Sequence, residues 1–249
     1  MTASSERLDL ALVARDLVKS RARAQSLIAE GRVFVDGEIV RKANRRVSAA
    51  MDITVNAPEI EWVGRGAQKL LKALDHFRVP VTGRIAADIG ASTGGFSEVL
   101  LSRGVARIYA VDVGHGQLDA KVAADSRVIN LEKTNCRDLD ARLIPDPLSL
   151  IVADLSFISL TKALPAVLAL AAPGAHLLAL VKPQFEVGKG NVGKGGIVRD
   201  QALAEQVPRI IEDWINAVPG WASMGTTPSP ILGSDGNREF LLGARYDGT

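Results

Sequence analysis

Within roughly the first 60 residues, the spacing of the apolar positions changes from a helical period to a strand period. An initial helical face is formed by Leu8, Leu12, Val13 and Leu17. Ser20 suits the N-cap of a second helix, and Gly31 stands where a C-cap glycine would. Within residues 33–40, an Asp-Gly pair separates two β-prone runs, as in a tight hairpin. The pattern predicts two helices, a hairpin and a further short strand at residues 53–55.

From Arg84 onward, strand-like and helix-like runs alternate. Strands are predicted at residues 85–89, 108–113, 128–131, 149–153, 176–181, 221–226 and 239–244. Helices are predicted at residues 96–101, 137–143, 160–170 and 203–214. Such alternation is typical of an α/β fold with a mainly parallel sheet covered on both faces. At 249 residues, the chain is long enough for such a domain and a small module. We predict a small α+β domain at residues 1–59, a linker at 60–66 and an α/β domain at 67–249.

Composition indicates a globular protein of a reducing compartment. Hydrophobic residues make up 47% of the chain, and the single cysteine, Cys136, excludes an internal disulfide. No apolar run follows a positive cluster at the amino terminus. The most apolar window, residues 164–181, contains two prolines, a glycine and a histidine, which do not suit a bilayer span. We therefore expect a cytoplasmic protein with no membrane partner.

The net charge of +2 is small, but it is unevenly distributed. Residues 19–46 carry eight basic and three acidic side chains, a local net charge of +5. Both a solvated basic surface and a site for nucleic-acid phosphates have this character. The order of a helix, a basic helix and a basic hairpin resembles the S-four RNA-binding domain, named for a ribosomal protein. The resemblance implies RNA contacts from Arg7, Arg15, Lys19, Arg21, Arg23, Arg32 and Lys42.

A glycine-rich turn follows the strand at residues 85–89 and opens the next helix. Ser92 occupies the second glycine position of the G-x-G-x-x-G dinucleotide motif and breaks it. The same residues spell the G-x-S-x-G nucleophile elbow, but the only histidine after Asp154 is His176, at the start of a buried strand. A methyl-donor site is the third interpretation and the one that we favour.

In a methyl-donor site, Asp88 lies near the amino-acid end of S-adenosylmethionine and the glycine turn passes beneath it. The next strand ends at Asp112, whose carboxylate suits both ribose hydroxyls. Asp112 alone could merely end a strand, but its spacing from the Asp88 turn favours a cofactor role. S-adenosylmethionine is the expected cofactor, and the candidate residues are Asp88, Gly90, Ser92, Thr93, Gly94, Gly95, Phe96, Asp112 and Val113.

A second glycine-rich stretch, residues 188–195, nearly spells a Walker phosphate loop. Its last position is Gly195, where Ser or Thr would hold magnesium, and it lies late in the sheet. We interpret it as a flexible basic loop whose Lys189 and Lys194 contact RNA phosphates.

Four ionisable residues stand where a methyl-transfer site could gather them. Lys69 lies on the helix before the first strand of the α/β domain, and Glu239 begins the last strand. Asp154 and Lys182 end strands, and ligands of open α/β sheets bind outside the carboxyl ends of strands. Taken singly, each residue is compatible with a solvated charge.

The Lys-Asp-Lys-Glu set resembles the catalytic tetrad of FtsJ-like ribose 2′-O-methyltransferases. The chain also resembles, nearly from end to end, the TlyA family of ribosomal RNA cytidine-2′-O-methyltransferases, historically labelled haemolysins. The matching phrases are residues 88–96, 110–114, 155–160, 181–186 and 192–196. One departure is Gly64-Arg65-Gly66, where the family pattern begins with serine.

The resemblance implies a Rossmann-like class I methyltransferase whose partner is ribosomal RNA in ribosomal subunits. It implies Lys182 as general base, Asp154 holding the Lys182 amine, and Glu239 orienting either the hydroxyl or Lys69. Arg65 is a further RNA-binding candidate. No metal is required, since methyl transfer develops no phosphoryl charge, and we expect a monomer.

A membrane-active haemolysin and a non-catalytic RNA-binding assembly factor are the alternatives. The first follows only from the family's older label and needs a membrane-active element that is not evident in the sequence. The second predicts that tetrad variants retain the cellular function. The sequence specifies neither the modified nucleotide nor which ribosomal subunit is the substrate.

Overall fold

The computed structural model describes residues 5–18, 20–56, 62–193, 195–233 and 236–248. The chain divides into two units, Met1–Glu61 and Trp62–Thr249. Lys19, Lys194 and the side chain of Lys189, all RNA-binding candidates, lie outside the described residues. So do residues 57–61, and the domain boundaries expected at 59 and 67 stay predictions.

The N-terminal unit is a small α+β domain. Its elements are β1 (Ser5–Arg7), α1 (Leu8–Ala14), α2 (Arg21–Ala29), β2 (Val33–Val35), β3 (Glu38–Ile39), β4 (Arg46–Ser48) and β5 (Ile53–Val55). Asp36 and Gly37, with φ of 52° and 81°, form the predicted tight turn between β2 and β3. β5 pairs with β2, whereas β4 pairs with β1. The helical face predicted through Leu17 is too long, because Asp16 adopts a left-handed φ of 54° after α1 and Leu17 is exposed.

A buried carboxylate joins the first two helices. Asp9 in α1 is fully buried and accepts hydrogen bonds from Arg7 at 2.9 and 3.0 Å. It also accepts from Arg21 and Gln25 of α2, both at 2.9 Å. The hydrogen bonds of Arg7 are the largest cause of a pKa of Asp9 well below its usual range. Asp9 therefore holds α1 against α2.

The C-terminal unit contains the predicted, mainly parallel sheet. Its strands are β6 (Ile85–Ile89), β7 (Arg107–Val111), β8 (Val128–Leu131), β9 (Leu148–Ala153), β10 (Ala171–Val181), β11 (Trp221–Pro228) and β12 (Phe240–Tyr246). Its helices are α3 (Gly66–Phe77), α4 (Gly95–Ser102), α5 (Ala120–Ala123), α6 (Leu160–Ala163), α7 (Pro165–Leu168), α8 (Pro183–Glu186) and α9 (Gln201–Ala217). The strand order is β11-β12-β10-β9-β6-β7-β8, and β12 pairs antiparallel with both of its neighbours.

Neighbouring residues of the central strand β6 pack into different hydrophobic cores. Ala86 belongs to a cluster with residues of α3 and α4, whereas Ala87 and Ile89 pack with residues of α6, α7 and α9. Because side chains alternate along a strand, both faces of the sheet are buried.

Two helical predictions need correction, and two short helices, α5 and α8, were not predicted. Residues 137–143 form only a short 3-10 helix at Cys136–Asp138, because the Asp140 side chain accepts backbone N–H groups of the segment. The helix expected at residues 160–170 is divided into α6 and α7, because Pro165 has no N–H with which to continue α6. The four-residue α5 and α8 are too short to show a helical period.

The parallel strands end at one edge of the sheet. The last residues of β6, β7, β9 and β10 are Ile89, Val111, Ala153 and Val181. The chain leaves β6 towards β7 on one side, while β9 lies on the other side, so a crevice opens between the ends of β6 and β9. The residues that follow these strands are placed around this crevice.

Replacing Asp9 with Asn should lower the free energy of unfolding at pH 7 by about 1–2 kcal/mol, the loss being limited because both arginines are partly exposed. A lowered pKa contributes stability above the unfolded pKa, near 4, and this contribution is lost as the pH falls. The difference in free energy of unfolding between wild type and Asp9→Asn, measured with urea, should therefore become smaller below about pH 4. Asp16→Asn, at an exposed position, is the control, and a difference that is constant with pH would contradict the assignment.

Candidate active site

The glycine-rich turn after β6 packs closely against the end of β9. Gly90 has a φ of 84°, and a Cβ there would lie 2.6 Å from the carbonyl oxygen of Asp154. Gly94, with a φ of 92°, is the N-cap of α4, and a Cβ there would lie 2.8 Å from a side-chain carbon of Leu118. The close approach of backbone requires glycine at position 90, and the left-handed φ favours glycine at position 94.

Asp112, at the end of β7, lines a cavity of 330 Å³. Its Oδ2 accepts the Ser92 N–H at 2.8 Å and its Oδ1 accepts the Gly114 N–H at 2.7 Å. These bonds fix the carboxylate and leave a further lone pair on each oxygen. Besides Val111, Ser156 and Phe157, four further residues that line this cavity were not among the predicted site residues, and their positions after strand ends are the signal that could have indicated them. They are Gln117, Thr134, Cys136 and Leu155.

The loop that contributes Gln117 is held by one carboxylate. Glu132 accepts the backbone N–H groups of Gly116, Gln117 and Leu118 at 2.9, 2.7 and 3.2 Å. The hydrogen bond from Gly116 is the largest cause of the lowering of the pKa of Glu132 to about 2, followed by those from Gln117 and Leu118. Glu132 thus supports the Asp112 cavity from outside its lining.

A second cavity, of 340 Å³, gathers all four ionisable candidates. Lys69 in α3, Asp154 after β9, Lys182 after β10 and Glu239 before β12 line it. We refer to it as the catalytic cavity. Predicted cofactor residues that also line it are Gly90, Ser92, Thr93, Gly95 and Phe96. The two cavities adjoin, since both are lined by Gly90, Ser92, Asp154 and Ser156.

The four ionisable groups form two lysine–carboxylate pairs. Lys69 Nζ lies 2.6 Å from Glu239 Oε2, and Lys182 Nζ lies 2.7 Å from Asp154 Oδ1. Lys182 and Asp154 form an ion pair but not a hydrogen bond, because the angle of the contact is unfavourable. The Ser156 hydroxyl accepts a hydrogen bond from Lys182 at 3.0 Å. Lys69, Lys182 and Glu239 are each less than a tenth exposed. Each buried ammonium therefore has a carboxylate that compensates its charge.

Asp88 and Gly94 are predicted cofactor residues that line neither of these two cavities. Asp88 is fully buried, its Oδ2 accepts the Ser97 hydroxyl at 2.7 Å, and its Oδ1 has no hydrogen-bond partner within the described residues. Burial is the main cause that raises the pKa of Asp88 to about 7, and the negative charges of Asp154 and Asp112 contribute to it. Asp88 therefore supports the turn from beneath.

Phe157 is 92% exposed although it is a large aromatic residue. Its φ of 66° is one that a non-glycine residue adopts only when the surrounding structure imposes it. Its ring centroid lies 5.2 Å from that of Phe185, which lies 5.9 Å from Lys182 Nζ. Phe157 also lines the Asp112 cavity. The sequence phrase that contains it was noted, but nothing in the phrase indicated an exposed, strained aromatic residue.

Gly64, the departure from the family pattern, lies against the cofactor turn. A Cβ on Gly64 would lie 2.8 Å from Thr93 Oγ1, and the Gly64 backbone packs against Gly95. A serine at position 64 would therefore require the Thr93 hydroxyl to take another rotamer.

The described RNA-binding candidates differ in what they contact. Arg7 and Arg21 bond to Asp9, and Arg15 donates to the carbonyls of residues 51 and 48 at 2.9 and 2.8 Å. These three side chains hold the N-terminal unit together, and their contacts with RNA stay predictions. Arg65 is exposed and lines the catalytic cavity. The others are Arg23 and Arg32, both half-buried, and the exposed Lys42.

A mainly parallel sheet with these adjoining cavities at its carboxyl edge is the architecture of a methyltransferase. The chain belongs to the FtsJ-like methyltransferase family, whose model matches residues 62–246, and the S4 domain, the S-four domain named above, matches residues 6–53. Within the part of the chain that the structure describes, no helix is long and apolar enough to cross a bilayer, and no three metal-binding side chains cluster.

Individual relatives agree with this assignment. The chain is 46% identical to the 16S/23S rRNA (cytidine-2′-O)-methyltransferase TlyA of Mycobacterium tuberculosis, over 96% of this chain and 89% of that protein. A candidate hemolysin from Streptococcus thermophilus, 34% identical, superposes with a TM-score of 0.71 over 100% of this chain and 90% of that one. A candidate S-adenosylmethionine-dependent methyltransferase from Listeria monocytogenes, 12% identical, shares the fold with a TM-score of 0.54 over 73% of this chain and 98% of that one. The resemblance to the TlyA family is confirmed.

Replacing Asp88 with Asn should stabilise the protein at pH 8 in the absence of a methyl donor, because the change removes a buried charge. The raised pKa means that Asp88 contributes stability below its unfolded pKa, near 4, and that this contribution is lost as the pH rises through about 7. In urea unfolding, the free energy of unfolding of Asp88→Asn should exceed that of wild type by a small amount at pH 5 and by about 4 kcal/mol at most at pH 8. The exposed Asp138→Asn serves as control, and parallel pH curves for wild type and Asp88→Asn would contradict the prediction.

Proposed function

We propose that this protein transfers a methyl group from S-adenosylmethionine to the ribose 2′-hydroxyl of a cytidine in ribosomal RNA. The observation that supports this most is the convergence of Lys69, Asp154, Lys182 and Glu239 on one cavity that adjoins the Asp112 cavity. TlyA of Mycobacterium tuberculosis, 46% identical to this chain, is named for that reaction.

The Asp112 cavity fits the nucleoside part of S-adenosylmethionine. Each oxygen of Asp112 retains a lone pair for a ribose hydroxyl, and the apolar side chains of Val113 and Leu155 suit a purine face. The turn at Gly90 lacks the side chains that would keep a ligand away from the backbone. When bound, the cofactor supplies an electrophilic methyl group on sulfur.

Lys182 is the general base in this proposal. A ribose hydroxyl is a weak nucleophile, so its proton leaves as its oxygen forms the bond to the methyl carbon. In this proposal the Lys182 ammonium first releases a proton to solvent; the resulting amine accepts the proton of the hydroxyl and returns to the ammonium form, whose charge Asp154 compensates at 2.7 Å. The hydrogen bond to Ser156 fixes the position of the amine. Alignment of the reacting atoms supplies most of the remaining acceleration.

The Lys69–Glu239 pair orients the acceptor. Glu239 is only 4% exposed, and its Oε1 lies 2.5 Å from the point where a Cβ on Gly233 would stand. With Oε2 bound to Lys69 at 2.6 Å, the carboxylate has little freedom to turn. A carboxylate held in this way can accept a hydrogen bond from a ribose hydroxyl and fix its direction.

Phe157 offers a stacking surface to a nucleobase. Proteins hold bases that have left an RNA stack against exposed aromatic rings, and Phe157 is exposed at the edge of the cavities. Phe185 packs beside it and supports its position. A base held on Phe157 would bring its ribose towards Lys182.

The remaining parts of the proposal concern the RNA partner. The S4 domain binds phosphates through its basic side chains, and Arg65, which lines the catalytic cavity, binds a phosphate there. The substrate is RNA within a ribosomal subunit, and the protein acts as a cytoplasmic monomer.

Replacing Lys182 with Ala should lower methyl transfer about 10²–10⁴-fold, the usual contribution of a general base, and leave cofactor affinity within about threefold. The assay uses labelled S-adenosylmethionine with each purified ribosomal subunit, followed by mapping of the labelled ribose. Lys162→Ala, at an exposed lysine of α6, is the matched control. Unchanged turnover in Lys182→Ala would refute the base assignment. Absence of labelled ribose with wild type would refute the function and leave an RNA-binding assembly factor.

Replacing Phe157 with Ala should lower kcat/KM for the ribosomal subunit about 10–100-fold, because stacking on a base is worth about 1–3 kcal/mol. Phe157→Trp keeps an aromatic face and should retain most of the activity. Equilibrium binding of S-adenosylmethionine is measured in parallel, since Phe157 also lines the Asp112 cavity. A loss that appears only in cofactor affinity would contradict the stacking role.

A further inference from the structure

The glycine-rich stretch that resembles a phosphate loop forms a hairpin. Val192 and Val198 form an antiparallel bridge, and the Gly193 N–H donates to the Ile197 carbonyl at 2.7 Å. We refer to residues 191–199 as the basic hairpin, since these positions contain two cationic residues, Lys194 and Arg199, and no acidic residue. The described residues on the two sides of the turn are thus connected by backbone hydrogen bonds.

Asn237 attaches the basic hairpin to the segment that leads into β12. Its Nδ2 donates to the Gly196 carbonyl at 2.8 Å, and its Oδ1 accepts the Val198 N–H at 3.2 Å. Asn237 is 7% exposed, so water does not readily replace either bond. Only a side-chain amide offers a donor and an acceptor in this arrangement.

The same residue is connected to the carboxylate of the catalytic cavity. The Asn237 carbonyl accepts the Gly233 N–H at 2.9 Å, and Gly233 leaves no room for a Cβ beside Glu239 Oε1. Glu239 in turn contacts Lys69 at 2.6 Å. The Asn237 side chain and the hydrogen bond between Gly233 and Asn237 therefore connect the hairpin to the Lys69–Glu239 pair.

Arg199 is the cation of the basic hairpin whose side chain the structure describes. It is exposed and forms no ion pair within the described ranges. A Cβ on Gly193 would lie 3.3 Å from both Cγ and Nε of Arg199, so the arginine side chain lies across the glycine. A guanidinium supported in this way suits the oxygens of a phosphate.

We propose that Arg199 binds a phosphate of the substrate RNA and that Asn237 is the positioning residue that sets this phosphate relative to the Lys69–Glu239 pair. The inference rests on the proposed function, since it requires an RNA acceptor at that pair. A phosphate fixed near the catalytic cavity restricts where the neighbouring ribose can lie. Loss of the attachment therefore affects both RNA binding and the rate of transfer.

Asn237→Asp tests this attachment, because it keeps an acceptor for Val198 and replaces the donor to Gly196 with an oxygen. KM for the ribosomal subunit should rise about fivefold and kcat should fall about 10–100-fold, with cofactor affinity within about twofold. Asn216→Asp is the matched control, since Asn216 Oδ1 accepts the Ser223 N–H at 2.7 Å on an exposed part of α9 and aspartate preserves that bond. A fall in kcat alone, in proportion to the fraction of unfolded protein in circular dichroism, would overturn the proposal.

A double-mutant cycle connects Asn237 to Arg199. Arg199→Gln alone should raise KM for the subunit about fivefold, but in the Asn237→Asp background it should add less than about twofold, because the hairpin has already lost its position. Full additivity of the two changes, or an unchanged KM in Arg199→Gln, would overturn the proposal.

Failure of the proposed function would give a different result, because wild type would then methylate neither subunit. The same four proteins would then be compared by filter binding to each purified subunit. Weaker binding by both variants, without additivity, would support the phosphate contact of the hairpin. Binding equal to that of wild type would overturn it.

Discussion

The approach of the Gly90 turn to the backbone of Asp154 determines the layout of the site. Because only a glycine fits there, the ends of β6 and β9 stay in contact and Asp154 lines both cavities. The carboxylate that suits a ribose, Asp112, and the amine of Lys182 are therefore separated by a single shared wall. Group transfer between two bound molecules requires such adjacency, since the reacting atoms must be held almost in contact.

The charges of the catalytic cavity are compensated in pairs. Lys69 with Glu239, and Lys182 with Asp154, allow two lysines to be buried side by side in one cavity. Removing one member of a buried pair leaves an uncompensated charge and typically costs about 3–5 kcal/mol. A substitution at any of these four residues should therefore lower stability, and that loss has to be measured separately from any change in methyl transfer. Asp88 has no lysine partner among the described residues, and its burial raises its pKa and favours the neutral acid.

The features that depend on neighbours in sequence could be predicted from sequence. The Asp-Gly hairpin, the Ser20 cap and the end of β6 at Ile89 follow from turn chemistry and from the spacing of apolar residues. The tetrad was recognised by resemblance, and its convergence on one cavity depends on a strand order that periodicity does not specify.

The features that were missed depend on tertiary contacts. The exposure and strained backbone of Phe157 have no counterpart in local sequence. Asn237 forms bonds to residues about 40 positions away in the chain, which no local pattern can indicate. The position of Gln117 in the lining of the Asp112 cavity likewise depends on Glu132, which follows β8 and accepts the Gln117 N–H.

The contact between Gly64 and Thr93 couples two segments of the chain. A Cβ on Gly64 would lie 2.8 Å from Thr93 Oγ1, so a side chain at position 64 requires the Thr93 hydroxyl to turn to another rotamer. The residue at position 64, ahead of α3, therefore selects the direction in which the Thr93 hydroxyl faces.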